Sequence, residues 1–265
     1  MDIGYEQCLR HKYAIEEYKS YSEYVNKIKD KLNYSNSGMG LFSPSSYIIK
    51  FDDTVIAVDP CLFLYNVDKD GEKSVLDLIN LCDAVIVTHK HRDHYDPELI
   101  DKISSEISVY CADFIEHRKD SVINVRAGDK VRIKSIDIDF FESFHTLGCN
   151  VVPEVGFCIT FNGDKYVFPI DVRDYDKEYP DFGAVKILVA HLWLGKQNAL
   201  NVSDNPYAEK FSDFVNRFNA KKVYVSHLYG VHRKVDDMWT DIHYNLIKDK
   251  ITDSSMIKFG DWIDF

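Results

Sequence analysis

The sequence predicts a mixed α/β (α+β) fold, because apolar runs of strand length alternate with segments of helical periodicity. Strands come first and strand–helix units follow, and the same order then recurs in the second half of the chain. Metal-capable side chains follow five predicted strands: His89, His145, Asp171, His191 and His227. Because α/β sheets place their chemistry where strands end, we expect a shared rim of such side chains.

Residues 5–33 are predicted to form one helix, with apolar side chains such as Ile15, Val25 and Ile28 at three- and four-residue steps. We therefore divide the chain into a helical extension, residues 1–33, and a main domain, residues 34–265. The helix is expected to pack on the domain. Two other roles stay open, a lid over the site and a contact between two copies of the chain in a homo-oligomer.

The first half of the main domain begins with a loop at 34–40. Strands at 46–51 and 54–58 then form a hairpin about Asp52-Asp53, and Asp59-Pro60 ends the second strand. The remaining predictions are helices at 74–81, 97–104 and 112–119 and strands at 84–87, 107–110, 122–125, 131–134 and 136–141.

The second half begins with a hairpin, 155–161 and 165–169, about the strong turn signal Asn162-Gly163. A strand at 185–190 precedes His191, and a strand at 222–226 precedes His227. Helices are predicted at 205–219, where Pro206 lies in the first turn, and at 235–248. A closing strand spans 256–265.

Composition excludes several classes of protein. The 265 residues carry a net charge of −11 and contain no basic tract, so a long nucleic acid is an unlikely partner, whereas a small phosphodiester stays open. Apolar runs are too short for a membrane span, and the first residues lack a signal-peptide pattern. The six cysteines form no Cys-x-x-Cys pair. We expect a soluble protein in the reducing cytoplasm.

Three histidines and two aspartates lie within the segment Thr88–Asp96, His-Lys-His-Arg-Asp-His-Tyr-Asp after Thr88. An apolar strand precedes the segment and a helix beginning at Pro97 follows it. His89 and His91 are two residues apart, so extended backbone points both the same way. Imidazole and carboxylate donors suit Zn²⁺ and related divalent ions. The spacing predicts two metals side by side rather than a solvated loop.

These residues resemble the signature of the metallo-β-lactamase-fold hydrolase superfamily. His-x-His-x-Asp-His matches at His89, His91, Asp93 and His94, and a lone histidine, an aspartate after a strand and a final histidine follow in the family's order. The likeness spans roughly residues 38–265. It implies a four-layer αββα sandwich with metals at one edge. Residues 206–227 most resemble the branch that contains the ascorbate-6-phosphate lactonase.

The resemblance implies a ligand for each metal position. His89, His91 and His145 would hold the first metal, Asp93, His94 and His227 the second, and Asp171 would bridge both. The sequence departs from the family at Ile170, where glycine is usual before the bridging aspartate. Asp174 and Asp176 lie close by, but Asp171 directly ends the strand. The glycine-rich opening of the tRNA 3′-processing branch is not evident.

We therefore predict a dinuclear metal-dependent hydrolase that uses a metal-bridging hydroxide on a small anionic ester, either a phosphodiester or a phosphorylated lactone. Zn²⁺ is the expected metal, with Mn²⁺ or iron as alternatives. Asp93 would be catalytic, orienting the hydroxide or moving a proton to the leaving group. The alternatives are an iron-dependent redox enzyme on the same fold and a non-catalytic protein that binds metal or a partner.

Two further histidines are candidates for substrate binding. His191 either lies beside the metals or is buried and bonded to backbone, and the sequence favours neither. His232 precedes Arg233 and Lys234 and could bind an anion, although a solvated loop is the more frequent role. Arg173 and Lys196 could also meet a phosphate but are more often surface charges. His11, His117 and His243 fall on predicted helices and are interpreted as ordinary helix residues.

Overall fold

The computed structural model describes residues 12, 21–62, 67, 69–147, 150–195, 206–230 and 238–265. Its first sheet has seven strands in the order β14-β1-β2-β3-β4-β5-β6. The strands are β1 Ser37–Ser43, β2 Ser46–Phe51, β3 Thr54–Val58, β4 Ala84–Val87, β5 Ser108–Ala112, β6 Val122–Val125 and β14 Trp262–Asp264. Strands β3 to β6 pair in parallel, so their carboxyl ends share one edge.

The second sheet also has seven strands, in the order β13-β12-β11-β10-β9-β8-β7. They are β7 Lys130–Ile133, β8 Ile136–Leu147, β9 Asn150–Phe161, β10 Asp164–Ile170, β11 Val185–His191, β12 Ala220–Ser226 and β13 Ser254–Met256. Strands β10, β11 and β12 are parallel to one another. The residues that follow β10 and β12 therefore emerge beside the end of β11.

Helices cover the sheets, which gives the predicted four-layer αββα sandwich. They are α1 Tyr21–Tyr34, α2 Lys69–Ile79, α3 Pro97–Lys102, α4 Pro206–Arg217 and α5 Asp241–Ile247. Aromatic side chains join the sheets: the ring centroids of Phe51 and Phe161 are 4.9 Å apart, and those of Tyr47 and Phe168 are 6.1 Å apart. A second apolar cluster includes Phe211 and Phe214 of α4 and lies on the outer side of the second sheet. Burial on both faces explains why the central strands are nearly all apolar.

Helix α1 packs on its own chain. Its apolar face, Tyr21, Val25, Ile28 and Leu32, is buried. A Cβ atom at Gly40 of β1 would lie 2.7 Å from the Ile28 side chain, so this close approach requires glycine. Residues 1–11 and 13–20 lie outside the described residues. The division at residue 33 and the homo-oligomer through this helix stay predictions.

Three element predictions are wrong. Residues 34–40 contain the start of β1 rather than only a loop, because Gly38 and Gly40 allow β1 to lie against Trp262 and Ile28. Residues 113–119 form turns and coil rather than a helix. The closing segment contains two short strands, one in each sheet, instead of one strand; Gly260, with φ of 82°, lies between them.

Strands β8 and β9 are both longer than predicted and pair as a hairpin, which carries His145 inside β8. Strand β8 continues to Leu147, and His145 pairs with Val152. His145 therefore does not follow the end of a strand, in contrast to His89, Asp171 and His227. No helix in the described ranges is long and apolar enough to cross a membrane.

Candidate metal centre

The first group of candidate ligands comes from the loop after β4. His89 and His94 are fully buried, and Asp93 is almost so. The loop is held in a turn, since the backbone N–H groups of His94 and Tyr95 both donate to the carbonyl of His91, at 2.9 and 2.8 Å. Helix α3 then begins, and the Asp96 carboxylate accepts a hydrogen bond of 3.0 Å from the Leu99 N–H as its cap.

One small set of candidate donors contains Asp59, His89 and His94, and two larger sets come together at the sheet edge. The first larger set contains His89, His91, His145 and Asp171; the second contains His94, Asp171, His191 and His227, and within each set the donor atoms lie within 4.8 Å of one another. Asp171 belongs to both. Six of the seven predicted ligands belong to these two sets. Asp93, the seventh, belongs to neither, although its Oδ2 atom lies 3.2 Å from His227 Nε2, and His191 is the remaining member of the second set.

The donor atoms that face the centre are suited to a metal. His89 Nε2, His94 Nε2 and Asp171 Oδ2 are buried and have no hydrogen-bond partner within the described part of the chain. Such atoms are costly to bury unless another group binds them. Imidazole nitrogen with carboxylate oxygen is a donor set for divalent ions. Two adjacent ions sharing Asp171 therefore suit the residues present.

Burial keeps several of the histidines neutral, which is the form that binds metal. Burial lowers the pKa of His91 to about 4, with a contribution from the neighbouring His145. Burial likewise lowers the pKa of His145 to about 4. His94 differs: burial opposes its charge, but Asp171 and Asp59 raise its pKa well above the ordinary value.

Asp59 orients His94 from behind. Its Oδ2 atom lies 2.8 Å from His94 Nδ1 and accepts a hydrogen bond of 2.7 Å from the Thr88 hydroxyl. Its Oδ1 atom accepts one of 2.7 Å from the Thr88 N–H. An Nδ1–H bonded to a carboxylate leaves Nε2 free for a metal. The sequence marked Asp59 only as the end of a strand.

Glu154 is the residue that sequence reasoning missed. It is buried on β9, and its Oε2 atom lies 3.2 Å from His89 Nδ1, 3.3 Å from His145 Nδ1 and 3.2 Å from the Asp171 backbone nitrogen. Ser143 donates a 2.6 Å hydrogen bond to Oε1. Burial, reinforced by the charge of Asp171, raises the pKa of Glu154 to about 8. One carboxyl group thus orients ligands from two different segments.

His191 lies behind Asp171. Its Nδ1 atom is 2.7 Å from Asp171 Oδ1, and its Nε2 atom is 2.5 Å from the Tyr47 hydroxyl, which also contacts Ser226 Oγ at 2.5 Å. Although His191 belongs to the second donor set, side chains engage both of its ring nitrogens and it is buried, so it could bind an ion only by giving up one of these bonds. This placement favours holding Asp171 over contacting substrate, and the bonds go to side chains rather than to backbone.

The other candidates differ in position. Of the aspartates that follow β10, only Asp171 belongs to the two larger donor sets. Asp176 is exposed and pairs with Lys210. His232, Lys196 and His11 lie outside the described residues. His117 contacts the Tyr95 hydroxyl at 2.8 Å, and His243 is buried at the start of α5.

A family model described as a beta-lactamase superfamily domain matches residues 41–202, which is more than half of the chain. The chain belongs to the beta-lactamase superfamily. The match covers the loop after β4, the β8–β9 hairpin and Asp171, and it ends before His227. The assignment to the ascorbate-6-phosphate lactonase branch stays a prediction.

Solved structures share the superfamily fold at low sequence identity. Igni18, a metallo hydrolase from the archaeon Ignicoccus hospitalis, is 14% identical, with a TM-score of 0.61 and coverage of 86% of this chain and 97% of that one. YhfI from Bacillus subtilis, a metallo-beta-lactamase fold protein, is 17% identical, with a TM-score of 0.56 and coverage of 83% and 90%. CmlA, a diiron beta-hydroxylase from Streptomyces venezuelae, is 14% identical, with a TM-score of 0.57 and coverage of 87% and 54%. Among curated proteins, none matches this sequence.

Proposed function

We propose that this protein is a dinuclear metal-dependent hydrolase of small anionic esters, either phosphodiesters or phosphorylated lactones. The observation that carries the proposal is the pair of donor sets that share Asp171. A closed structural zinc site uses four protein ligands around one ion, whereas shared ligands around two ions leave positions for substrate. The hydrolases among the structural neighbours are consistent with this function.

Different residues of the centre would hold the ions, transfer protons and orient the ligands. Two divalent ions held there would activate water and polarise the reacting oxygen of the substrate. Asp93 is the carboxylate that we assign to proton transfer, because it lies at the edge of the centre with Oδ2 3.2 Å from His227 Nε2. Asp59, Glu154 and His191 hold the ligands in place from outside.

An anionic substrate suits the charge of this centre. Among the proposed ligands only Asp93 and Asp171 are carboxylates, so part of the charge of two divalent ions stays unbalanced. The whole chain is acidic, with a net charge of −11. Attraction for an anion is therefore local to the metal centre, which favours a small substrate over an extended one.

Zinc is the metal that we propose, because the donors are imidazole and carboxylate. The CmlA likeness makes iron the alternative to test, since that neighbour is a diiron hydroxylase. We also retain the cytoplasm as the proposed location and a small molecule as the proposed partner.

The proposal is tested by elemental analysis of the purified protein beside Asp171→Ala and Asp176→Ala. Asp176 is a matched control, because it lies on the same segment but is exposed and pairs with Lys210. We expect about two equivalents of zinc or manganese in wild type and in Asp176→Ala, and clearly less in Asp171→Ala. Activity is then measured on bis-p-nitrophenyl phosphate and a panel of lactones.

Turnover on either panel, lost in Asp171→Ala and kept in Asp176→Ala, would support the proposal and begin to name the substrate. Two equivalents of iron without hydrolysis would favour the redox alternative. Absence of bound metal after reconstitution with zinc, manganese and iron would overturn the proposal.

A further inference from the structure

Arg173 lies at the metal centre, whereas the sequence favours a surface charge at this position over contact with a phosphate. It follows Asp171 by two residues, and its backbone N–H donates a 3.0 Å hydrogen bond to the Phe144 carbonyl. Its Nη2 atom is 3.7 Å from Asp171 Oδ2, the same oxygen that faces the metal positions. The side chain is only 16% exposed, so it is not an ordinary surface charge.

The guanidinium rests on an aromatic platform. Its Cζ atom lies 5.0 Å from the centroid of the Trp193 ring. Trp193 is itself held in place, because the Tyr175 hydroxyl donates a 2.8 Å hydrogen bond to its carbonyl and the Tyr207 ring packs edge-on against it at 4.8 Å. A cation on a fixed tryptophan face is oriented as well as stabilised.

The hydrogen-bonding capacity of Arg173 is not used up by the protein. Its Nε atom is buried and has no hydrogen-bond partner among the residues that the structure describes. The distance to Asp171 exceeds that of a hydrogen bond, so the pair is a charge contact only. A guanidinium has five N–H donors in a planar fork, and leaving the buried Nε–H unbonded is costly.

We propose that Arg173 binds an oxyanion of the substrate, a carboxylate or a phosphate, while the metals hold the group that reacts. This rests on the proposed function. Carboxylate and phosphate match the guanidinium fork, which can donate to two oxygens at once. Because Arg173 contacts a metal-facing oxygen, the oxyanion lies within a few bonds of the bond that is cut. The substrate is thus an ester with an anionic group close to its reacting centre.

The direct test is the binding of inorganic phosphate, measured by calorimetry on protein with its metal content as purified. Wild type is compared with Arg173→Gln, Arg173→Lys and Arg132→Gln. Arg132 is the matched control, since it is an exposed arginine on the β7–β8 hairpin whose partner is Asp137 at 3.2 Å. We expect phosphate to bind about tenfold more weakly or worse to Arg173→Gln, less weakly to Arg173→Lys, and normally to Arg132→Gln.

A second measurement concerns the choice of substrate. A lactone that carries a carboxylate beside the ring ester is compared with its methyl ester, and a lactone that carries a phosphate there is compared with the same lactone without the phosphate. We expect wild type to prefer the more anionic member of one pair and Arg173→Gln to lose that preference through a higher KM. The pair that responds distinguishes a carboxylate from a phosphate.

Phosphate affinity that is unchanged in Arg173→Gln would overturn the proposal, as would wild type that binds no phosphate at millimolar concentration. Loss of metal in Arg173→Gln would also overturn it, because Arg173 would then support the ligands rather than the substrate. Failure of the hydrolase function looks different: no lactone or phosphate ester is cleaved by wild type, while phosphate binding still depends on Arg173.

Discussion

Three residues at the metal centre have backbone conformations that L-amino acids rarely adopt. The φ angles are 46° at Asp59, 68° at Ile170 and 63° at His227. Each costs on the order of 1–3 kcal/mol. Ile170 is the least expected, because it is β-branched and occupies the position where the family usually has glycine. Its side chain is buried beside a register irregularity between β10 and β11, so packing holds the conformation that directs Asp171 out of the strand.

Glu154 gives a prediction at the scale of one residue. Glu154→Gln keeps the shape but replaces one of two accepting oxygens by an amide NH₂, whereas Oε2 faces His89 Nδ1 and His145 Nδ1 and Oε1 accepts from Ser143. We expect zinc to bind about 10–100-fold more weakly, because partners behind metal-bound histidines contribute about this much. The measurement is zinc affinity by competition with a chromogenic chelator.

Glu142→Gln is the control for this experiment, since Glu142 is exposed on β8 next to Ser143. Circular dichroism checks that both variants fold. Equal zinc affinity in wild type and Glu154→Gln would show that the carboxylate does not orient the ligands.

The residues of the centre differ in how readily the sequence predicts them. His89, His91, Asp93 and His94 lie in one short loop, so their spacing alone indicates a metal site. Glu154 has no such neighbours along the chain. Its place depends on the register of the β8–β9 hairpin, where it pairs with Ser143, and that register depends on strand ends that the sequence does not define.

At the scale of elements, the sequence predicts a strand correctly where local signals define it, and fails where the strand depends on contacts that are distant in sequence. The β2–β3 hairpin begins and ends as predicted, because apolar runs flank a turn in which Asp52 adopts a φ of 49°. Strand β1 was missed, since its glycines suit contacts with Trp262 and Ile28 that are distant in sequence. The sequence predicts one closing strand, because nothing local shows that the two halves of this segment join different sheets.

The start of helix α5 contributes stability that depends on pH, because a histidine caps it. His243 is fully buried, and its Nδ1 atom accepts a 2.9 Å hydrogen bond from the Thr240 N–H, which caps the helix. Burial lowers the pKa of His243 to about 4 from the ordinary 6.5. The unfolded chain therefore binds a proton below pH 6.5 that the folded chain does not. The stability that neutral His243 provides is complete above that pH and is lost as the pH falls toward 4.

His243→Gln should remove this dependence while keeping a side-chain acceptor for the cap. Between about pH 7.5 and about pH 5, we expect wild type to lose about 2 kcal/mol more unfolding free energy than the variant. Urea unfolding of both metal-free proteins measures it, and the histidines of the metal centre cancel in the comparison. Parallel pH profiles for the two proteins would contradict the prediction.

At the scale of the whole molecule, the proposed ligands come from both sheets. His89, His91, Asp93 and His94 follow β4 of the first sheet. In the second sheet, His145 lies on β8, and Asp171 and His227 follow β10 and β12. Ions held by these residues would join the two halves of the sandwich at one edge. Metal loading should therefore stabilise the complete fold and not only a loop.

The expected size follows from mass action. A ligand at about 100 times its Kd stabilises the native state by about 2.7 kcal/mol, which corresponds to roughly 5–10 °C in a protein of this size. We expect the Tm of the metal-loaded protein to fall by that amount when the metals are removed with EDTA, and to be restored by zinc. Differential scanning calorimetry measures the change.

The Asp171→Ala variant shows whether EDTA lowers the Tm by removing metal that joins the two sheets at this edge or by a general effect on the protein. Because Asp171 belongs to both larger donor sets, the variant should bind metal weakly, and EDTA should lower its Tm by much less than it lowers that of wild type. The metal-free variant should itself be less stable than metal-free wild type, since Asp171 Oδ1 bonds His191 Nδ1 at 2.7 Å and Oδ2 faces Arg173 at 3.7 Å, so the comparison uses only the change in Tm that EDTA causes within each protein. An EDTA effect of equal size in both proteins would show that the stabilising metal lies elsewhere. A Tm that does not change in wild type, although bound metal has been removed, would show that the two sheets hold together at this edge without it.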